Sequence, residues 1–477
     1  MLPPMKRNRF FYLGMLIFGQ LALAQKQPMT LMECVTMALE KNITIKQSEL
    51  RYQDAEINKS DAKGNFLPSV NAQASHSWNI GLNQDITRGT LENQTTQFTS
   101  MGASVNMNIF NGFRNFNQLH RANLSLLASQ YQLEDMKDDV QLMVANAYLQ
   151  ILFNIEILAV QKAQLEISQQ EAERTQQMIE AGTMVKYDLL EIEATIAAQE
   201  QSVILAENNL RLSKINLAQM LLITDYENFD VVTMDIDAPM GQILFQKPKD
   251  IFEKALTHRN DIKLSITNIS IAERDIDLAK GSLQPSLSAY YGYNTRVSYA
   301  DRLIGNGAFS EVPIGFVSTT RDQVLRTVEG TDVVGPIPFG TQFDRNAGHN
   351  IGLRINIPIF NGNSARNNVE RSRVNLLRSQ NQFEQDKLNL ETTINQAFND
   401  AQGAFKFYEA AEKTVLARKR AYEDAINRYE AGVMNTFDFS QIKQRYETAA
   451  SDVVRAKFDY IFKIKVLEFY FGITISL

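Results

Sequence analysis

Val105-Asn106-Met107-Asn108-Ile109-Phe110-Asn111-Gly112 returns 250 residues later as Ile355-Asn356-Ile357-Pro358-Ile359-Phe360-Asn361-Gly362. Working outward, the offset of 250 holds from Val105 to about Leu221. It carries Ala181-Gly182 onto Ala431-Gly432 and Asp188 onto Asp438. Upstream, an offset of 217 carries Ala38-Leu39 onto Ala255-Leu256, Ala62-Lys63-Gly64 onto Ala279-Lys280-Gly281, and Pro68-Ser69 onto Pro285-Ser286. Neither offset breaks, so each block keeps its helical or strand phase. The change from 217 to 250 places 33 extra residues in one connection of the second copy. One element is duplicated in tandem, with one tolerant loop.

Length alone suggests about three domains for 477 residues, but two copies of one long element can make a single body. Charged residues are 21% and the net charge is −6, which gives no polycation for nucleic acid. The single Cys34 excludes an internal disulfide and a cysteine-rich metal site. Lys6, Arg7 and Arg9, the apolar run Phe10 to Leu23 and Ala22-Leu23-Ala24 before Gln25 read as an export signal over residues 1–24. After Gln25 no stretch has 18 consecutive apolar residues, so no transmembrane helix is expected and any span must be built from strands. The expected organisation is a first repeat over 25–222, a linker over 223–248 and a second repeat over 249–477.

Each copy opens with a helical stretch, about Leu31 to Phe66 and about Ile251 to Leu283, stopped at Pro68 and Pro285. Period-2 segments follow. Val70, Ala72, Ala74, Trp78, Ile80 and Leu82 oppose Asn71, Gln73, Ser75, Ser77 and Asn79. Met101, Ala103, Val105, Met107 and Ile109 oppose Ser100, Gly102, Ser104, Asn106 and Asn108. In the second copy Leu287, Ala289, Tyr291 and Tyr293 form one such face, and Ile351, Leu353, Ile355, Ile357 and Ile359 another. Four strands of about 11 to 13 residues, apolar outside and polar inside, fit a membrane β-barrel. A soluble β-sandwich is the bland alternative, and it lacks strands for a second sheet. The strand pairs are joined by 83–97 and by about 300–347, the second absorbing the 33 extra residues as an external loop.

A segment of about Phe113 to Ala181 without proline or glycine, and its partner from about Asn363 to Ala431, would reach about 105 Å as helices at about 1.5 Å per residue. Val140, Val144, Ala147, Ile151, Ile155 and Leu158 repeat at 4 and 3, a packing stripe for long helices side by side. A membrane-surface helix would need a cationic polar face, and here acids and bases are mixed. The helices end at Ala181-Gly182 and Ala431-Gly432, and returning helices run to about Leu221 and Phe471. Asp188-x-x-Glu191 and Asp438-x-x-Gln441 read as capping boxes, which makes both aspartates N-caps. His76, His120, His258 and His349 have no ligand at helical spacing, and no nucleophile elbow, Walker loop or dinucleotide fingerprint occurs. No cofactor, metal or catalytic residue is expected, and the chain is not read as an enzyme.

With this helix-strand-strand-helix-helix order given twice, the chain resembles the TolC-like outer membrane factor family. Its Phe-Asn-Gly entries at Phe110 and Phe360 and its tips, Ala181 to Asp188 and Ala431 to Asp438, carry the resemblance across essentially the whole mature sequence. The resemblance implies a mixed α and β membrane protein: a homotrimer with a 12-stranded barrel in outer membrane lipid, continued by a long periplasmic helical barrel. It implies a passive duct for efflux or type I secretion, meeting a periplasmic adaptor (membrane fusion) protein and an inner-membrane RND or ABC transporter. It places adaptor docking on Gly182, Thr183, Met184, Gly432, Val433 and Met434, and a periplasmic gate on Asp188, Tyr429 and Asp438. Two family gate positions are changed: the basic residue is Met434 and a second aspartate is Gln441. A structural or adhesive protein that uses the helices as a rigid spacer is the competing reading.

Overall fold

Thr30-Leu31-Met32-Glu33 starts the first helix with a reciprocal cap. The Glu33 amide donates to Thr30 Oγ1 at 3.3 Å, and the Thr30 amide donates to Glu33 Oε2 at 2.8 Å. The computed structural model describes residues 28–85, 89–233 and 241–473. The signal expected at 1–24 and part of the linker expected at 223–248 lie outside the described residues. The first copy holds α1 (Leu31–Lys41), α2 (Ile43–Gly64), β1 (Ser69–Gln84), β2 (Leu91–Asn111), α3 (Arg114–Glu180) and α4 (Lys186–Met220). The second holds α5 (Pro248–His258), α6 (Asn260–Gly281), β3 (Ser286–Ser298), β4 (Arg302–Phe316), β5 (Gln323–Val334), α7 (Phe339–Arg345), β6 (Gly348–Asn356), α8 (Ser364–Glu430) and α9 (Thr436–Phe471). Equivalent helices have equal lengths: 11 residues in α1 and α5, 22 in α2 and α6, and 67 in α3 and α8.

Contacts divide the chain into two units. One takes the described residues up to 55, 125–269 and from 377 on; the other takes 56–124 and 270–376. The first unit is helical. The buried Leu31, Cys34, Val35 and Ala38 of α1 share a core with Val140, Val144, Tyr148 and Ile151 of α3 and Leu217 of α4. In the second copy Ile251, Ala255, Leu390, Ile394 and Tyr460 build the corresponding cluster. The 4-and-3 stripe therefore faces a core in both copies. By length and composition α3 could cross a membrane, against the expectation that no helix would. Within it Val140, Val144, Tyr148, Ile151 and Leu152 are buried in the packing of the helical unit. Burial pushes the Cys34 thiol up to about 12, which keeps it protonated.

Each opening helix expected as one piece is two. Asn42 (φ −57, ψ 130) and Arg259 (φ −61, ψ 131) are extended residues that split it at the same place in both copies. Asn42 holds its break by accepting the Thr44 amide at 2.9 Å. Arg259 holds the other among acids, with Nη2 at 2.7 Å from Asp261 and 3.6 Å from Asp135. Burial first, then Asp261, pushes the Asp135 carboxyl up to about 6 from an ordinary 3.8. An acid raised on folding binds more protons folded than unfolded across that interval, so it lowers stability as pH rises from about 4 to about 6. Asp135→Asn is expected to flatten this decline and to raise the melting midpoint at neutral pH. Thermal melts below and above the interval check it, and an unchanged pH slope would remove Asp135 as the cause.

The second unit carries a four-stranded antiparallel sheet in the order β1-β2-β3-β6, so copy one meets copy two at β2 and β3. The register keeps like faces together. Val70 opposes Val105, Val105 opposes Tyr291, and Tyr291 opposes Ile351, all on the apolar face. Asn71, Ser104, Gly292 and Asn350 follow on the polar face. Ile351, Leu353 and Ile355 are 81%, 68% and 65% exposed, so the apolar face is uncovered by the chain itself. Three expectations are corrected. β1 and β2 reach 16 and 21 residues, shrinking the loop expected at 83–97, because Thr95 and Thr96 continue the backbone ladder after the apolar alternation stops. β6 ends at Asn356 and leaves Ile357 and Ile359 outside it, as Pro358 has no amide to donate. The loop expected over 300–347 contains further strands: β4 and β5 pair as a separate hairpin. The helix α7 then packs on β3, with Gln342 Nε2 donating to Ser298 O at 2.8 Å.

The Phe-Asn-Gly entries work alike in both copies. Gly112 and Phe113 stand at φ 67 and 61, Gly362 and Asn363 at φ 65 and 63. This left-handed pair turns the chain from strand to helix. Asn111 Oδ1 accepts the Asn115 amide at 3.2 Å and Asn361 Oδ1 the Ala365 amide at 3.4 Å, so each asparagine caps the helix that follows.

Candidate functional site at the helical hairpin turns

The turn between α3 and α4 is closed by Gly182 at φ 74, and that between α8 and α9 by Gly432 at φ 72. Each glycine amide bonds three residues back, to Ile179 O and Tyr429 O, and the next amide bonds five back, to Met178 O and Arg428 O. This is a Schellman closure, which requires a left-handed residue at its centre. A Cβ on either glycine would meet nothing within 4 Å. Backbone conformation, not crowding, demands glycine here. Around the turns Val185, Tyr187, Leu190, Val433 and Phe437 are 65%, 70%, 55%, 75% and 75% exposed. Thr183 spends its hydroxyl on Met178 O at 2.8 Å, and Met184 and Met434 pack partly buried beside Tyr429 and Phe439.

Asp188 and Asp438 each sit one turn later than a cap. The N-caps are Val185 and Asn435, which makes Asp188 and Asp438 the third residues of α4 and α9 and corrects their reading as N-caps. Asn435 accepts the Asp438 amide at 2.8 Å and donates its own amide to Asp438 Oδ2 at 2.8 Å. An acid there also suits the positive end of the helix. Asp188 has a different partner: Thr436 Oγ1 donates to its Oδ1 at 2.8 Å. The same hydroxyl lies 3.4 Å from the Tyr429 hydroxyl, which also lies 3.8 Å from Met184 Sδ. Tyr429 is buried and stacks on Phe439, centroids 4.5 Å apart. The structure therefore links Tyr429 and Asp188 through Thr436, which the sequence reading did not name, and leaves Asp438 outside that chain.

Further along the hairpins lies a buried charge cluster that the sequence reading also missed. Lys443 Nζ is 2.6 Å from both Ser168 Oγ and Glu171 Oε2 and 3.9 Å from Glu447. Tyr422 donates to Glu171 at 2.9 Å and Gln199 to Glu447 at 2.9 Å. Burial, then Glu171, pushes the Tyr422 hydroxyl far above its ordinary range, and burial raises Glu447 against the pull of Lys443. These groups pin α3, α4, α8 and α9 to one another. Among the described residues no group of His, Cys, Asp and Glu is placed to hold a metal ion.

Residues 34–221 and 251–462 match the family described as outer membrane efflux protein, one matched segment in each copy. The chain belongs to the outer membrane efflux protein family. It is an outer membrane protein with the tandem channel fold of that family. It is similar to outer membrane protein TolC of Escherichia coli K12, at 21% identity over 473 residues, covering 96% of this chain and 84% of the relative. It is similar to the cation efflux system protein CusC of Escherichia coli O157:H7, at 23% identity over 398 residues, covering 81% and 72%. In structure it resembles outer membrane protein VceC of Vibrio cholerae, with TM-score 0.71 and 14% identity over 93% of this chain and 96% of that one. The outer-membrane channel OprN gives TM-score 0.71 and 18% identity over 93% and 89%.

Proposed function

We propose that the chain is the passive outer membrane duct of a tripartite efflux or type I secretion assembly. Three copies close one barrel from four strands each, because four strands leave two open edges that hydrocarbon does not tolerate. A periplasmic adaptor seats on the hairpin turns, and an inner-membrane RND or ABC transporter supplies the cargo. The observation that carries this reading is the apolar surface gathered at two glycine-closed turns, with Val433 and Phe437 both 75% exposed. Uncovered apolar residues at a turn mark a docking surface. Gating is assigned to the same region. Thr436 ties Tyr429 to Asp188, so a shift of α9 breaks that link, while Asp438 stays exposed to attract cations.

Replacing Gly182 and Gly432 together by Leu strains both turns at positive φ. Export is expected to be lost, with barrel insertion and trimer content unchanged. Export assays, adaptor crosslinking in cells and conductance in planar bilayers read the outcome. Export that survived both replacements would move docking elsewhere, and a wild-type trimer without conductance would favour the rigid spacer.

A further inference from the structure

The polar face of the sheet carries charge of one sign. Arg296 stands opposite Ser100 and Arg354 opposite Ser288, so both belong to the face of Asn71, Ser104, Gly292 and Asn350. Along β1, β2, β3 and β6 that face has no lysine. Its one acid, Glu92, stands opposite Asn83, six residues before Phe98 and beyond the part of β2 that pairs with β3. The chain as a whole is net −6, so the positive sign is local to this face.

Each guanidinium is held by a ring instead of a carboxylate. Arg296 Cζ lies 3.8 Å from the centroid of Phe98, and Arg354 Cζ lies 5.4 Å from that of Tyr290. Gly352 makes room for the second ring: a Cβ there would meet Tyr290 Oη at 2.6 Å. A cation–π contact orients a guanidinium without neutralising it, so its donor fork stays available. Both arginines are exposed, and neither forms an ion pair among the described residues. A hollow of about 700 Å³ takes in Arg296 together with the neutral Asn71, Gln73, Ser104 and Asn294.

We propose that the strand segment of the duct selects anions, and that Arg296 and Arg354 bind the carboxylate or phosphate groups of passing cargo. The inference rests on the duct proposed above, in which the polar face lines the water-filled interior. Three copies, with two such arginines each, then place guanidinium groups in one lumen at two levels. Arg354 stands at the level of Ser288, and Arg296 lies eight residues further along β3, about 26 Å at about 3.3 Å per residue. That separation exceeds the roughly 8 Å screening length of physiological salt, so the two levels act in series and not as one site. A planar guanidinium matches two oxygens of a carboxylate or phosphate, and rings of arginine favour anions in a pore.

Current through the trimer in planar bilayers under a potassium chloride gradient tests this. Arg296→Gln with Arg354→Gln is expected to shift the reversal potential towards that of potassium and to lower the chloride-to-potassium permeability ratio several-fold. Each single variant is expected to give part of the shift. The hairpin acids are unchanged in every variant, so they do not contribute to it. Added inorganic phosphate is expected to reduce the wild-type chloride current and to leave that of the double variant unaffected. Arg296→Lys with Arg354→Lys keeps the charge without the planar fork, so it is expected to keep the permeability ratio and lose most of the phosphate effect. Heat-stable trimer in each variant confirms assembly. An unchanged ratio in the glutamine variant, or a lysine variant with the same ratio as the glutamine variant, would overturn the charge filter. Phosphate block that survives in the glutamine variant would overturn anion binding by these arginines. A wild-type trimer that passes no current would overturn the duct itself.

Discussion

Leu353→Arg or Ile355→Arg is expected to stop assembly of the membrane domain. Both residues stand on the sheet face that the chain leaves uncovered, opposite Ala289 and Leu287 of β3. An arginine that faces lipid near the bilayer midplane costs about 2–4 kcal/mol, and a trimer meets that cost once per chain. The polar face offers an internal control. Asn350→Arg and Asn356→Arg lie on the side of Asn71, Ser104 and Gly292, where water fills a barrel. These variants are expected to assemble and to change conductance only. Heat-stable trimer in the outer membrane fraction is the readout. Equal tolerance on the two faces would place the sheet the wrong way round.

Lys443→Met is expected to destabilise the helical unit by about 3–5 kcal/mol, the usual effect of removing one partner from a buried ion pair. Lys443 is 5% exposed, and its loss leaves Glu171 and Glu447 facing each other without a cation. The effect is a penalty on what remains, so Lys443→Met with Glu171→Gln is expected to recover part of it. Melting of the helical signal in far-ultraviolet circular dichroism measures both variants. A midpoint for Lys443→Met equal to wild type would make the cluster a solvated patch.

The sequence carried the fold where a period or an offset was long enough to be unmistakable. The strand faces, the 67-residue helices and the glycine turns all appear where the repeats put them. Shorter events were hidden. Asn42 and Arg259 each break a helix with one residue, and neither is a proline or glycine that would announce the break. β2 runs on through Gln94, Thr95 and Thr96, since backbone pairing continues where apolar alternation has ended. At the turns the sequence read Asp188 and Asp438 as N-caps, and the caps lie three residues earlier. Val185 gives no side-chain cap, and Asn435 caps in place of the aspartate. Lys443 was invisible because a lysine among acids at helical spacing looks like an exposed face. The one available signal was that the copies disagree there, Lys443 against Glu193.

The equal lengths of α3 and α8 constrain how the gene can change. A deletion within one long helix would withdraw its hairpin turn relative to the other and rotate every core residue beyond it, at 3.6 residues per turn. Such a lesion is repaired only by a matching deletion in the other copy, which a single mutational event does not supply. The segment between β3 and β6 need not match its twin between β1 and β2, and it is longer by 33 residues. Drift in this chain therefore runs through substitution along its helices and through insertion at one end of its sheet.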